Sequence, residues 1–249
     1  MNTSEASHSL SGSLNLTQLP VAITFTNSIP AGISAYRGRV PAGCRFWEDA
    51  LDGAFFTSAE DHNMCAIGVY THNLQASERQ QTDLGDALKV FQELGYVRPE
   101  DVPLIPVLQS APEYVVYSRL DAAELPPDVV LVFVNSVQTL ILSEATQQIE
   151  NQNAPAMGRP ACAVIPQVMN TGRAALSLGC CGARAYLDVL NDGVALFAIP
   201  GAKLEAYVRR IESLANANAI LSSFHQLRRR DVEAGRTPSV KESLAAMAG

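Results

Sequence analysis

An α/β sandwich of interleaved strands and helices is the fold class this sequence predicts, and three observations predict it. Segments rich in β-branched residues alternate with segments whose apolar residues recur at helical spacing, the pattern of a sheet covered by helices. The 249 residues are 47% hydrophobic and 17% charged, an ordinary globular composition with enough chain for a full core. One strand-like phrase is also written twice: "ITFTNS" at 23–28 and "LVFVNS" at 131–136 both end Phe-x-Asn-Ser.

The elements follow in order. Residues 1–18 are polar and Ser-rich and read as a disordered lead-in; they carry neither the basic nor the apolar region of a signal peptide. Residues 19–26 alternate as a strand. Phe46, Trp47, Ala50 and Leu51 are helically spaced with Gly53 as a stop. "TSAED" at 57–61 reads as a cap opening a second short helix that carries Cys65. Residues 82–95 predict a helix, with Leu84, Leu88, Phe91 and Leu94 on one face, Thr82 or Asp83 as its cap and Gly95 as its end. A Pro-rich connector over 98–112 leads to a strand at 113–120. Residues 126–136 are a buried-type strand, after which Ser136 caps a helix reaching 150. A polar loop (151–161) precedes Cys162. A strand at 193–200 and a helix at 202–214, with Leu204, Val208, Ile211 and Leu214 as its buried stripe, close the domain.

The predicted organisation is thus one α/β domain over 19–215, followed by a charged helical tail over 216–249. Within the domain, 19–121 and 126–215 form candidate pseudo-repeats. The intervals argue against close repetition: about 49 residues separate Cys65 from its next strand, and about 14 separate Cys180 from its own.

Charge and hydropathy narrow the function classes. A net charge of -7 with a pI of about 5.1 lacks the basic signature of a nucleic-acid surface. No apolar run is long enough to predict a membrane span. Without an export signal the expected location is the cytoplasm, where thiols stay reduced, and five cysteines suit a disulfide framework poorly. No Gly-rich phosphate loop follows a strand, and no G-x-S-x-G elbow is present.

The chemistry-bearing pattern is in the cysteines. Cys44 and Cys65 stand 21 apart, and Cys162 and Cys180 stand 18 apart, with Cys181 beside the last. Gly43, Gly68, Gly179 and Gly182 flank them, and glycine lets backbone N–H groups approach a thiolate-bound cluster. Arg45, Arg159, Arg173 and Arg184 lie nearby, and positive charge lowers a thiol's pKa. The blander reading is that free cysteines behave as small buried hydrophobes. His62 is a candidate ligand or proton carrier, or a helix-start residue; His72 reads as a surface or partly buried polar group. Arg184 and Arg45 are candidates to clamp an anionic substrate.

Four stretches, "PVAITF", Cys44 with "DGAFFTSAEDHNMCAIG", "PPDVVLVFVNSVQTL" and "LSLGCCGARAYLDVLNDGVALFAIPGAKLE", resemble the domain-of-unknown-function family 169 of bacteria and archaea. The resemblance spans roughly residues 19–214. It places Cys44, Cys65, Cys162 and Cys180 at family cysteine positions and Cys181 in a variable slot. It brings no established reaction. One departure is that Ala66 and Ile67 stand where the family often has Pro-Gly, which implies a different backbone beside Cys65.

The residues and the resemblance together predict one [4Fe-4S] cluster held by Cys44, Cys65, Cys162 and Cys180, with electron transfer or small-substrate activation as its use. Zinc is the alternative metal, supported by the H-x-x-C of His62 and Cys65. Two other classes stay open: a metal-free enzyme with Cys180 or Cys65 as nucleophile, and a small-ligand or partner-binding module with structural cysteines. The expected partners are a small-molecule substrate or a redox protein, and a homodimer is compatible with the domain.

Overall fold

The computed structural model describes residues 1–157 and 159–248. In chain order the elements are α1 (Thr3–Leu14), β1 (Val21–Thr26), β2 (Ser34–Ala35), α2 (Phe46–Asp49), β3 (Phe55–Thr57), α3 (Ala66–Thr71), α4 (Glu78–Glu93) and β4 (Tyr114–Arg119). The second part runs β5 (Val129–Val134), α5 (Ser136–Glu150), β6 (Ala156–Met157), α6 (Val164–Thr171), β7 (Ala175–Ser177), α7 (Cys181–Tyr186), β8 (Ala195–Pro200), α8 (Leu204–Glu233) and α9 (Val240–Ala248). The mixed α/β class expected from the sequence is the one observed.

Among the described residues the strands form one eight-stranded sheet in the order β2-β3-β4-β1-β5-β8-β7-β6. That order repeats on either side of its centre: β1, β2, β3 and β4 correspond to β5, β6, β7 and β8. Pairing senses correspond too. β2–β3 and β6–β7 are parallel, whereas β3–β4, β7–β8, β1–β4 and β5–β8 are antiparallel. At the centre Ala22 faces Val130, flanked by Val21 opposite Leu131 and Ile23 opposite Val129. A pseudo-two-fold axis therefore passes between Ala22 and Val130. The register puts Phe25 in the place of Phe133, so the two Phe-x-Asn-Ser phrases occupy equivalent positions.

Strand alternation sends side chains to two different layers. On one face Ala22, Val130, Val132, Val134, Phe197 and Ile199 pack beneath α1, α5 and α8. On the other, Ile23, Val115, Tyr117, Leu131, Phe133 and Leu196 pack beneath the loops and short helices that carry the cysteines, with Phe46 and Trp47 fully buried among them. β5 is buried along its whole length, as a strand covered on both faces should be.

Several expectations need correction. Residues 3–14 are a helix, not a disordered lead-in. Asn2 and Glu5 form a reciprocal capping box, and Ala6, Leu10 and Leu14 are buried against the sheet; burying each leucine stabilises this docking by about 1.5–3 kcal/mol. The second short helix does not open at 57–61: Thr57 ends β3, and Cys65 itself caps α3. α4 starts at Ser77, whose hydroxyl pairs with Gln80, rather than at Thr82 or Asp83. Asn135, not Ser136, caps α5. The helix expected at 202–214 continues to Glu233, and α9 follows it, so the charged tail is helical over most of its described length.

Candidate functional site

The four cysteines of the predicted set occupy equivalent places in the two halves. Cys44 lies in a 3-10 turn (Gly43–Arg45) between β2 and β3, and Cys162 lies in a 3-10 turn (Ala161–Ala163) between β6 and β7. Cys65 begins α3 between β3 and β4, and Cys180 begins α7 between β7 and β8. Because the halves sit on one sheet face about a pseudo-two-fold, these positions meet. All four, together with Cys181, line one cavity of about 170 Å³. All five are free thiols.

The polar groups nearest the sulfurs are mostly donors. Cys65 Sγ accepts from the amides of Gly43 and Gly68. Cys44 accepts from its own amide and that of Arg45. Cys180 Sγ accepts from the Ala183 amide at 3.5 Å, and Thr71 Oγ1 lies 3.4 Å from Cys162 Sγ. Thr71 belongs to the first half and Cys162 to the second, so this contact crosses the pseudo-axis. The glycines beside Cys65 leave little room for a Cβ. A Cβ on Gly43 would sit 2.7 Å from His62 Nδ1, and one on Gly68 would sit 3.0 Å from Cys65 Sγ. The departure at Ala66–Ile67 thus still leaves a glycine amide on the sulfur.

The thiols perturb one another electrostatically. Burial pushes the Cys44 thiol up to about 12, and the Cys65 and Cys180 sulfurs add to the rise. Burial raises Cys65, with its two backbone donors opposing and Cys180 adding. Burial raises Cys162 well above the usual thiol range, with Cys65, Cys180 and Cys44 contributing and Thr71 opposing. Neutral thiols are therefore the stable form of Cys44, Cys65 and Cys162 on their own, and a cation among them would invert that preference. Among the described residues no three His, Cys, Asp or Glu side chains are grouped tightly enough to hold one metal ion.

His62 and His72 lie behind the cysteines, in the first half. Both are buried, and burial lowers them to about 3 and about 4 respectively, with His72 adding to the shift of His62. His62 Nε2 is 3.5 Å from Thr57 Oγ1, while its Nδ1 and both nitrogens of His72 have no hydrogen-bond partner among the described residues. Their rings meet edge to face, 5.9 Å apart. His72 is thus a core residue, not the surface group expected; an isolated "YTHNL" does not reveal which face its loop turns inward.

The arginines sort differently from their order in the sequence. Arg184 donates to the carbonyls of Asn191 (2.7 Å), Val194 (3.2 Å), Leu190 (3.3 Å) and Leu178. Arg45 pairs with Glu48 (3.0 Å) and Asp49 (3.1 Å), and reaches the Tyr186 carbonyl and Asp188 of the second half. Both guanidiniums are engaged within the fold, and neither lines the cavity. Arg159 does line it, with its guanidinium carbon 3.8 Å above the Tyr96 ring. Tyr96 Oη donates to Cys181 Sγ at 3.1 Å.

The remaining wall is hydrocarbon: Leu84, Leu88 and Phe91 of α4, with Val97, Val102 and Ile105 beyond it. The stripe on α4 was legible from spacing; that it covers the cysteines was not. Among the described residues no helix is long and apolar enough to cross a membrane.

A mixed α/β protein built of two topologically matching halves around a thiol-lined apolar cavity is the class that fold and site define. The chain belongs to the domain-of-unknown-function family 169, described as an uncharacterised ArCR family, whose model matches residues 9–210. No curated protein and no solved structure matches it.

Proposed function

We propose that this is a cytoplasmic iron–sulfur protein in which Cys44, Cys65, Cys162 and Cys180 hold one [4Fe-4S] cluster. The observation that carries the reading is the convergence of four symmetry-equivalent cysteines on one apolar cavity, three of them with backbone amides donating to sulfur. Thiolates in such a cluster are stabilised by N–H donors and by exclusion of water, and these set its potential. The donor set fits: four soft sulfur ligands, with no carboxylate among the lining residues. When bound, such a group supplies one-electron transfer or, with one iron left open, Lewis acidity toward a small substrate. A redox protein or a small molecule is the corresponding partner, and a reducing cytoplasm is the matching compartment.

Zinc is the alternative metal for the same cysteines with His62, and elemental analysis of the purified protein separates it from iron. A nucleophilic Cys65 is disfavoured by the burial that raises its pKa. Anaerobic purification with iron, sulfide and EPR measurements tests the proposal. Roughly four irons and four sulfides per chain are expected for this cluster type. A colourless protein that lacks iron after strictly air-free preparation, and that takes up none on reconstitution with iron and sulfide, would refute it.

A further inference from the structure

The cavity has more to it than sulfur. One side is the cysteine wall; the other is the apolar stripe of α4, an element of the first half that has no counterpart in the second. Within α4 only Gln80 is fully buried. Leu84 and Leu88 are half-buried and Leu94 is 74% exposed, so this helix covers the cavity loosely rather than forming core.

Arg159 is the one formally charged side chain among the described lining residues, and among the described residues it has no carboxylate within ion-pair distance. Asp101 feels its charge but is bound by Arg98 at 2.6 Å. A guanidinium stacked on an aromatic face keeps its N–H edge directed sideways, in the plane that receives a carboxylate bidentately. Arg159 is exposed to solvent, so its free N–H edge is open to an incoming anion at the mouth of the hydrocarbon chamber.

We infer that this chamber binds a small monocarboxylate with an aromatic or branched-hydrocarbon body. The body lies beneath Leu84, Leu88 and Phe91, and the carboxylate lies on Arg159. The whole chamber, cysteine wall included, is about 170 Å³, close to the roughly 150 Å³ of an engineered apolar cavity that admits benzene. A cluster and the ligand body would therefore compete for the same space, and the titrations are run on iron-free protein. A single guanidinium without surrounding backbone donors matches a monoanion, whereas a phosphate dianion calls for several donors. Cys181 stands outside the four equivalent cysteines, and its bond from Tyr96 fixes the ring on which Arg159 stacks. The inference rests on the cavity and not on the cluster.

Calorimetric or ligand-observed NMR titration of the full chain with benzoate and isovalerate tests it, with benzamide as the neutral match. Benzoate is expected to bind at least tenfold more tightly than benzamide. Arg159→Gln should remove that difference while leaving the thermal midpoint unchanged, since the side chain is exposed, and Arg159→Lys should restore part of it. Equal binding of benzoate and benzamide, no binding of either acid, or an Arg159→Gln protein that still prefers benzoate would each overturn the inference. Iron is measured on the same samples. A failed titration of iron-free protein therefore removes the ligand and leaves the cluster proposal standing, and carboxylate binding by protein that cannot be loaded with iron does the reverse.

Discussion

The two halves share a strand order and register, and they place two cysteines each at equivalent turns, yet they support those cysteines by different chemistry. Behind Cys44 and Cys65 stand two buried neutral imidazoles, His62 and His72. Behind Cys180 a guanidinium does the corresponding job, with Arg184 gathering four carbonyls of the β7–β8 connection. The first half also inserts residues 72–113 where the second needs a short turn. What the pseudo-symmetry holds constant is the position of sulfur; packing, charge and cover vary around it. That is the arrangement expected where four ligands must meet one central group and everything behind them is free to differ.

The largest expected effect breaks this comparison most directly. If the proposed cluster is present, replacing Cys44 or Cys162 by serine should lower iron content from roughly four per chain to well under one, and equally so for both, because they occupy equivalent positions in the two halves. Cys181→Ser should retain the iron. Iron and sulfide analysis of the three air-free variants checks this. If Cys162→Ser kept full iron while Cys44→Ser lost it, the quartet would not act as a symmetric set.

How much of this was legible in the sequence follows element length. The six-residue strands β1, β4, β5 and β8 could be read, and so could the repeated Phe-x-Asn-Ser. The strands that complete the symmetry, β2, β3, β6 and β7, are two or three residues long, too short for a period of two to register. The unequal intervals concealed the repeat because the insertion falls between Cys65 and β4. In the lead-in, serine-rich composition masked an Asn2–Glu5 capping signal and the Ala6, Leu10 and Leu14 stripe. The cysteines were legible as a set through their glycines. The arginines were not: nearness along the chain does not say whether a guanidinium is surrounded by carbonyls, as Arg184 is, or faces a cavity, as Arg159 does.

A smaller effect sharpens the difference between the halves. Gly43→Ala would drive a methyl to 2.7 Å from His62 Nδ1, and Gly68→Ala to 3.0 Å from Cys65 Sγ, whereas a Cβ on Gly182 meets only Tyr186 at 3.8 Å. Overpacking of this kind costs about 1–3 kcal/mol. Gly43→Ala should lower the urea midpoint accordingly, and Gly68→Ala less so, because it lies inside α3 and gains about 1 kcal/mol of helix propensity. Gly182→Ala lies inside α7 and should be neutral or slightly stabilising, since alanine favours helix over glycine by about 1 kcal/mol. Equal destabilisation by all three would mean that the close approaches at Gly43 and Gly68 relax without added cost.

The smallest effect concerns pH and belongs to the first half alone. Burial lowers His72 to about 4, while the unfolded chain titrates near the ordinary histidine value of about 6.5. As pH falls below about 6.5 the unfolded state takes up the proton first, so the stability that the neutral buried ring supplies above that pH is progressively lost down to about 4. Between pH 7 and 5.5 this group should account for about 1 kcal/mol of lost stability. His72→Phe keeps a ring against Phe25, its edge-to-face neighbour at 5.6 Å, and removes the titration. Urea melts at both pH values should show a shallower decline for His72→Phe than for the parent, with exposed His225→Gln unchanged from the parent. A decline as steep in His72→Phe as in the parent would mean that His72 is already proton-accessible in the folded state, and that the imidazole layer behind the first half's cysteines is wetter than the second half's guanidinium.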